Sequence, residues 1–345
     1  MKCPVCKAEL SDGVTKCSSC GFSELYREFL NMDEAVNWME QMVLPYRERW
    51  KQRTSVDSAE NLYEEIMRKR MEMLTTSVQP SGKEFEYEIS NGGITLTKYN
   101  DTRQSVEVPA SIDGYPVVGL GKRLFYGCRE LRHVILPNTI QRIEDMAFCE
   151  SGLCNINIPG SCTHIGEVAF ARSELQEIDL PETCSFVGRG AFQSTKIREI
   201  VFPSSIKVIA SGVCSGCSDL KTAVILGAET IENAAFAYCD ALEKIALPLE
   251  MDSIESPFSD LLSHGCSLSG PDYLLLPNKL NRLVGYFGKS GCRHIAFPDQ
   301  TTSIEKWDSY NRGHCILYCM NGSTAQQYAR EHGVKYKPLN EFPAE

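Results

Sequence analysis

The chain has 345 residues, 43% hydrophobic and 23% charged, with a formal net charge of -10 at pH 7. That composition is ordinary for a folded protein, and the acidic balance argues against tight, charge-driven nucleic-acid binding, which needs a basic surface. No apolar run approaches the roughly 18 residues of a membrane span, and MKCPVCKAEL at the start lacks the apolar core of a secretory signal, so a cytoplasmic chain is expected.

Residues 1–23 contain Cys3-x-x-Cys6 and, after ten intervening residues, Cys17-x-x-Cys20 followed by Gly21. Two such turns present four thiolates and close a tetrahedral Cys₄ site. So short a segment buries no core; bound metal would supply its folding energy, about 10–16 kcal/mol of apparent binding in comparable peptides. The expectation is one structural Zn²⁺ held by Cys3, Cys6, Cys17 and Cys20, with no open position for catalysis. The segment resembles the short zinc ribbons at the N-termini of many bacterial multidomain proteins.

Residues 24–80 read as helical. Ala35, Trp38, Met39, Met42 and Tyr46 recur at three- and four-residue steps behind Asp33, a fitting N-cap, and Pro45 interrupts the run. A second helix is expected over about Ser58 to Leu74, with Leu62, Ile66 and Met73 inward and Arg68-Lys69-Arg70 on a solvated face. Too few apolar positions exist for an independent core, so the pair should pack against the rest of the chain or a partner.

From residue 81 to 338 the chain repeats. Leu124-Phe125, Ala147-Phe148, Ala169-Phe170, Ala191-Phe192, Val213-Cys214, Ala235-Phe236 and Pro257-Phe258 follow at steps of 23, 22, 22, 22, 22 and 22 residues. A second phrase keeps the same beat in LRHVILP, LCNINIP, LQEIDLP and IREIVFP. Self-similarity at this period means a solenoid. In LQEIDLP, Leu175, Ile178 and Leu180 form one buried set; Glu177 and Asp179 alternate outward as in a strand; Pro181, without an N–H, ends the pairing. Ile143, Ile165, Val187, Ile209, Ile231 and Ile254 refill the interior on the return path. Ser323 should cap a short closing helix ending near Gly333, with 339–345 as a tail.

Most of the sixteen cysteines fall in small or apolar repeat slots. Cys162 and Cys184 stand where Ile140 and Ile206 stand in sister repeats; Cys128, Cys217 and Cys239 share a slot with Ser151, Ser173 and Thr195. They read as packing residues. The rival is a disulfide ladder, since rungs about 4.8 Å apart would let Cys162–Cys184 and Cys217–Cys239 bridge.

These phrases resemble the BspA-type leucine-rich repeat over about residues 84–338. FEYEISNGGITLTKY with VEVPASIDGYPVVGLG resembles the family's opening units, DYLLLPNKLNRLVGYFGKSGCRHIAFPDQTTSIEKW its hairpin insertion between coils, and NGSTAQQYAREHGVKY its closing element. The pattern departs at Val213-Cys214, at Pro257-Phe258, at Gly227 in place of proline and at Trp307-Asp308, where irregular coils are expected. The resemblance implies a mainly-β leucine-rich repeat solenoid of short strands and irregular turns, and in exported members a part in surface adhesion.

In leucine-rich repeats the strand ladder commonly forms a recognition face. The outward positions here are His133, Asn155, Glu177, Glu199 and Lys244 in one row, and Ile135, Asn157, Asp179, Val201, Ile225 and Ala246 in the next. Glu177, Asp179 and Glu199 make an acidic middle beside Val201 and Ile225, which suits a protein or peptide with a basic and an apolar contact. Catalysis finds no support: the six histidines have no metal-like or triad-like spacing, and GLGKRLF lacks the phosphate-loop pattern. The expected function is therefore a non-enzymatic protein-interaction scaffold. The alternatives are a zinc-ribbon nucleic-acid-associated factor, tinted basic by Lys2, Lys7 and Lys16, and an exported surface adhesin.

Overall fold

Leu175, Ile178 and Leu180 are buried and Glu177 and Asp179 between them are exposed, as the alternation in LQEIDLP requires. The computed structural model describes residues 84–342, apart from 91, 249, 256, 258–272, 278, 285–291, 298–302 and 306–314. The ribbon over 1–23, the helices over 24–80, Phe258 and Trp307-Asp308 lie outside the described residues.

Each coil gives one short strand to each of two parallel ladders. The first runs through Ser105–Glu107, His133–Ile135 and Asn155–Ile156 to a bridge at Glu177; farther on, Glu199–Phe202, Thr222–Ile225 and Lys244–Ala246 pair in the same sense. The second, on the return path, pairs Gly93–Tyr99, Tyr115–Leu120, Arg142–Ile143, His164–Ile165 and Phe186–Val187. It resumes with Val208–Ile209, Thr230–Ile231, Glu250–Glu255, Lys279–Val284 and Ser303–Glu305.

The Ala-Phe arc forms a third seam. The amide of Phe125 donates to Ala147 O of the next coil, Phe148 to Ala169, Phe170 to Ala191, Phe192 to Val213, Cys214 to Ala235 and Phe236 to Pro257, all at 2.7–2.9 Å. Two flanking residues per coil turn left-handed to aim these amides along the axis. Arg123, Met146, Val168, Gly190, Gly212 and Ala234 do so before the arc; Gly127, Glu150, Arg172, Ser194, Gly216 and Tyr238 do so after it. Inside, Phe125, Phe148, Phe170 and Phe192 stack at centroid spacings of 5.0, 5.1 and 5.7 Å.

Val213-Cys214 does not produce an irregular coil. Its arc keeps both left-handed turns and the axial hydrogen bond, because the arc is specified by backbone. Extra interior volume is carried nearby by Phe202, whose register partner is the smaller Ile225 and whose ring meets Phe236, the next phenylalanine of the arc, edge-on at 6.4 Å. The departure near Gly227 is a register change. Glu199 pairs with Thr222, a step of 23, whereas Val208 pairs with Thr230, a step of 22. A residue is gained near Asp219 and lost at the next corner. There a Cβ on Gly227 would lie 2.7 Å from Ser204 O, so the shortened corner presses on the one before it. Leu226, not Gly227, occupies the register of Pro203.

The expected hairpin insertion is also corrected. Tyr273–Leu275 and His294–Phe297 are parallel partners, and Lys279–Val284 pairs in parallel with strands on both sides. These residues form further coils, since Leu274, Leu280, Leu283 and Ile295 supply the same inward positions as earlier repeats.

The cysteines follow the same logic. Ser151, Ser173 and Thr195 donate to the carbonyls of Phe148, Phe170 and Phe192 at 2.7–2.9 Å, while Cys217 and Cys239 fill that slot fully buried. Cys162, Cys184, Cys217 and Cys239 are unbridged thiols. Burial pushes the Cys162 and Cys184 thiols up to about 11 and about 12, so both are neutral packing groups at ordinary pH.

At the N-terminal end an antiparallel hairpin, Phe85–Ser90 with Gly93–Tyr99, closes the first coil. At the other end the helix Thr324–His332 is capped by Ser323, which accepts from the Gln326 amide, and stops at Gly333 with φ 67°. Its Ala325 and Ala329 sit in the core. Residues 339–342 do not trail away as a tail: Leu339 is buried.

A volume exchange between positions 202 and 214 is open to a direct test. Cys214→Phe should overpack this coil and lower stability by about 1–3 kcal/mol, and Phe202→Leu on that background should recover most of the loss. Urea unfolding of both single variants and the double variant measures the coupling; additive losses would contradict the exchange.

Candidate interaction surface

Pairing fixes which side chains share the outside of the first ladder. Ser105, His133, Asn155 and Glu177 form one row, and on the coils that follow Glu199, Thr222 and Lys244 form another. Beside them, Glu107 and Ile135 share a row, and Val201, Val224 and Ala246 share one on the following coils. Ile225 is not in this row. It pairs with Phe202, points inward and is 2% exposed, because the residue gained near Asp219 shifts the strand by one and exchanges its faces.

The row is open over only part of its length. Asn157, Glu177 and Asp179 are exposed, and His133, Asn155, Glu199 and Val201 are half-buried; Lys244 is exposed farther along. Ile135 is 8% exposed and Val224 and Ala246 are each 1%. The adjacent pair of exposed apolar residues expected at Val201 and Ile225 is therefore absent. What remains is a short acidic strip. Glu177 and Asp179 stand on one coil, and Glu199 stands one coil on, where the Lys196 amide bonds to Leu175 O at 2.9 Å.

The exposed apolar patch lies instead on the second ladder, and sequence reasoning missed it. Outward positions there are mostly polar, as at Arg142, Thr230, Ser253 and Ser303, yet three consecutive coils place His164, Phe186 and Val208 outward. Phe186 and Val208 are 46% and 44% exposed, and the His164 ring stacks on Phe186 at 4.4 Å. Burial holds His164 below the ordinary imidazole range, and the nearby Arg142 adds to the effect, so a neutral ring faces the phenyl group at neutral pH. The signal was legible: the residue before each inward Ile143, Ile165, Val187, Ile209 or Ile231 is outward by period two.

Among the described residues no group of three or more His, Cys, Asp or Glu side chains is arranged to hold a metal ion. The candidate zinc ligands Cys3, Cys6, Cys17 and Cys20 lie outside those residues. No described helix is long and apolar enough to cross a membrane.

The model of the BspA type leucine rich repeat region matches residues 103–221 and 216–307, in six copies. The chain belongs to this family. A leucine-rich repeat protein from Bacteroides ovatus has a similar fold, with a TM-score of 0.54 and 19% identity, over 78% of this chain and 80% of that one. The leucine-rich repeat protein of T. pallidum is 27% identical over 54% of this chain and 92% of its own, with a TM-score of 0.49. Among curated proteins none matches the sequence. The family is defined by a repeat and indicates no catalytic class; a solenoid of this kind fits a protein-interaction scaffold or a surface protein.

Proposed function

We propose that this chain is a non-enzymatic interaction scaffold that grips an extended, basic segment of a partner protein along the open part of its first ladder. The observation that carries this reading is the outward exposure of Glu177 and Asp179 beside Glu199 on the adjoining coil. Rungs about 4.8 Å apart bring acidic side chains of neighbouring coils within reach of one extended chain. Lysine or arginine side chains spaced along such a chain would complement the exposed Glu177 and its acidic neighbours. Val201 and Asn157 flank the strip and offer an apolar and an amide contact.

The ribbon belongs to the same proposal. A structural zinc on Cys3, Cys6, Cys17 and Cys20 would fold the first 23 residues into a small docking unit, set apart from the solenoid by the segment 24–80. A reducing compartment suits a chain whose solenoid buries unbridged thiols such as Cys162 and Cys184.

Two measurements test these readings separately. An array of extended peptides that alternate basic and aliphatic residues should bind the full chain and weaken with added salt. Charge reversal by Glu177→Lys with Glu199→Lys should reduce that binding by at least about tenfold, the loss of one well-placed charge contact; unchanged binding would remove the strip from consideration. Elemental analysis of the full chain should return one zinc per molecule, lost in Cys17→Ser. A chain purified under reducing conditions without zinc would end the ribbon assignment and leave the strip untouched.

A further inference from the structure

The last coils carry a second apolar cluster on the outside of the sheet. Ala296, Tyr318 and Leu339 are buried there, with Leu275, Ile316, Met320 and Phe342 packed against them. Leu275, Ala296 and Tyr318 are register partners on successive strands, and their neighbours Leu274, Ile295 and Leu317 fill the main core. The cluster therefore occupies outward positions, the side on which the acidic strip lies in earlier coils.

Its walls are aromatic. Tyr273 stacks on His294 at 4.6 Å, and His294 Nδ1 lies 3.0 Å from the Tyr318 hydroxyl. Its cover is the end of the chain. Leu339–Glu341 forms one 3₁₀ turn, and Phe342 meets Tyr318 edge-on at 5.2 Å and Tyr273 at 6.1 Å. Glu341 pairs with Lys337 at 3.3 Å. Tyr273 is still 37% exposed beneath this cover.

Two features separate the cover from an ordinary end cap. The end of the main core is closed by the helix Thr324–His332, through Ala325 and Ala329, whereas the turn lies over the separate outward cluster. The walls stand on parallel strands, Tyr273–Leu275, His294–Phe297 and Ile316–Cys319, which pair with one another in register, and the strand Lys335–Pro338 beside them leads into the turn. An aromatic cradle is thus filled by a single turn carrying one aliphatic and one aromatic anchor.

We propose that this cradle is a peptide-binding subsite, masked in the unbound protein by Leu339-Asn340-Glu341-Phe342. Its partner is a short segment of another protein that presents an aliphatic and an aromatic side chain three residues apart. An acidic residue beside the aromatic one would replace Glu341 opposite Lys337, and the exposed Lys335, in register with Ile316, favours the same charge. Tethering gives the chain's own turn a high local concentration, so an external peptide competes poorly until the turn is unseated.

The test uses the full chain and a labelled peptide of its own last nine residues, KPLNEFPAE. Phe342→Ala should unseat the turn and tighten peptide binding by about tenfold or more over the unaltered chain, as release from an intramolecular competitor requires. Leu339→Ala with Phe342→Ala should do the same. Tyr273→Ala on either background should abolish the gain, and a peptide with alanine in place of Phe342 should not bind. Equal affinity for the unaltered and Phe342→Ala chains, both melting cooperatively, would overturn the proposal and leave the turn a structural cover. So would binding that ignores Tyr273→Ala, or sedimentation showing that unaltered chains exchange tails as dimers.

Discussion

The hydrogen bond from the amide of the second residue of each Ala-Phe slot to the carbonyl of the first residue of the next holds the rest of the structure in place. It recurs from Phe125 to Phe236 at 2.7–2.9 Å and fixes the distance and phase between coils. Left-handed backbone on either side is its cost. For a β-branched residue such as Val168, at φ 47°, that conformation is disfavoured by about 1–3 kcal/mol. It persists because the Val168 amide also finds an axial partner, Arg189 O at 2.9 Å. Once two coils are joined this way, the strand ladders on either side have little freedom left in spacing.

This explains which substitutions the repeat tolerates. The slot closing the coil accepts phenylalanine or cysteine because the axial bond is made by the backbone, as Cys214 shows by donating to Ala235 O at 2.9 Å. The hydroxyl slot accepts Ser151, Ser173 and Thr195, which bond the phenylalanine carbonyl, or a fully buried Cys217 or Cys239. The arc's backbone is conserved through all these exchanges. Outward positions answer to no such constraint. They vary from Glu177 to Lys244 in one row and from Arg142 to Phe186 in another, so any recognition must reside there.

The solenoid, its inward residues and its closing helix were legible because each depends on local pattern: period two in LQEIDLP, a serine before the helix, a glycine after it. Register was legible only where the step stayed constant. At Asp219 one residue enters, and a sequence aligned by its most apolar letters puts Ile225 on the outside when pairing with Phe202 puts it within. The coils beyond Tyr273 read as an insertion in the sequence because their Ala-Phe mark is missing, although the inward Leu274, Leu280 and Leu283 keep the pattern. The outward row on the return path follows the same period two, one residue before each inward Ile143, Ile165, Val187 and Ile209. The fold over Leu339–Phe342 was out of reach, since nothing local says that a terminal leucine and phenylalanine will meet tyrosines Tyr273 and Tyr318.

Native-state hydrogen exchange, followed residue by residue, tests the central claim most directly, because axial amides should open only with the coils themselves. The amide of Cys214 should then be as protected as those of Phe170 and Phe192, despite its smaller side chain. Fast exchange at Cys214, with slow exchange at Phe170 and Phe192, would show that side-chain packing rather than the backbone seam joins the coils.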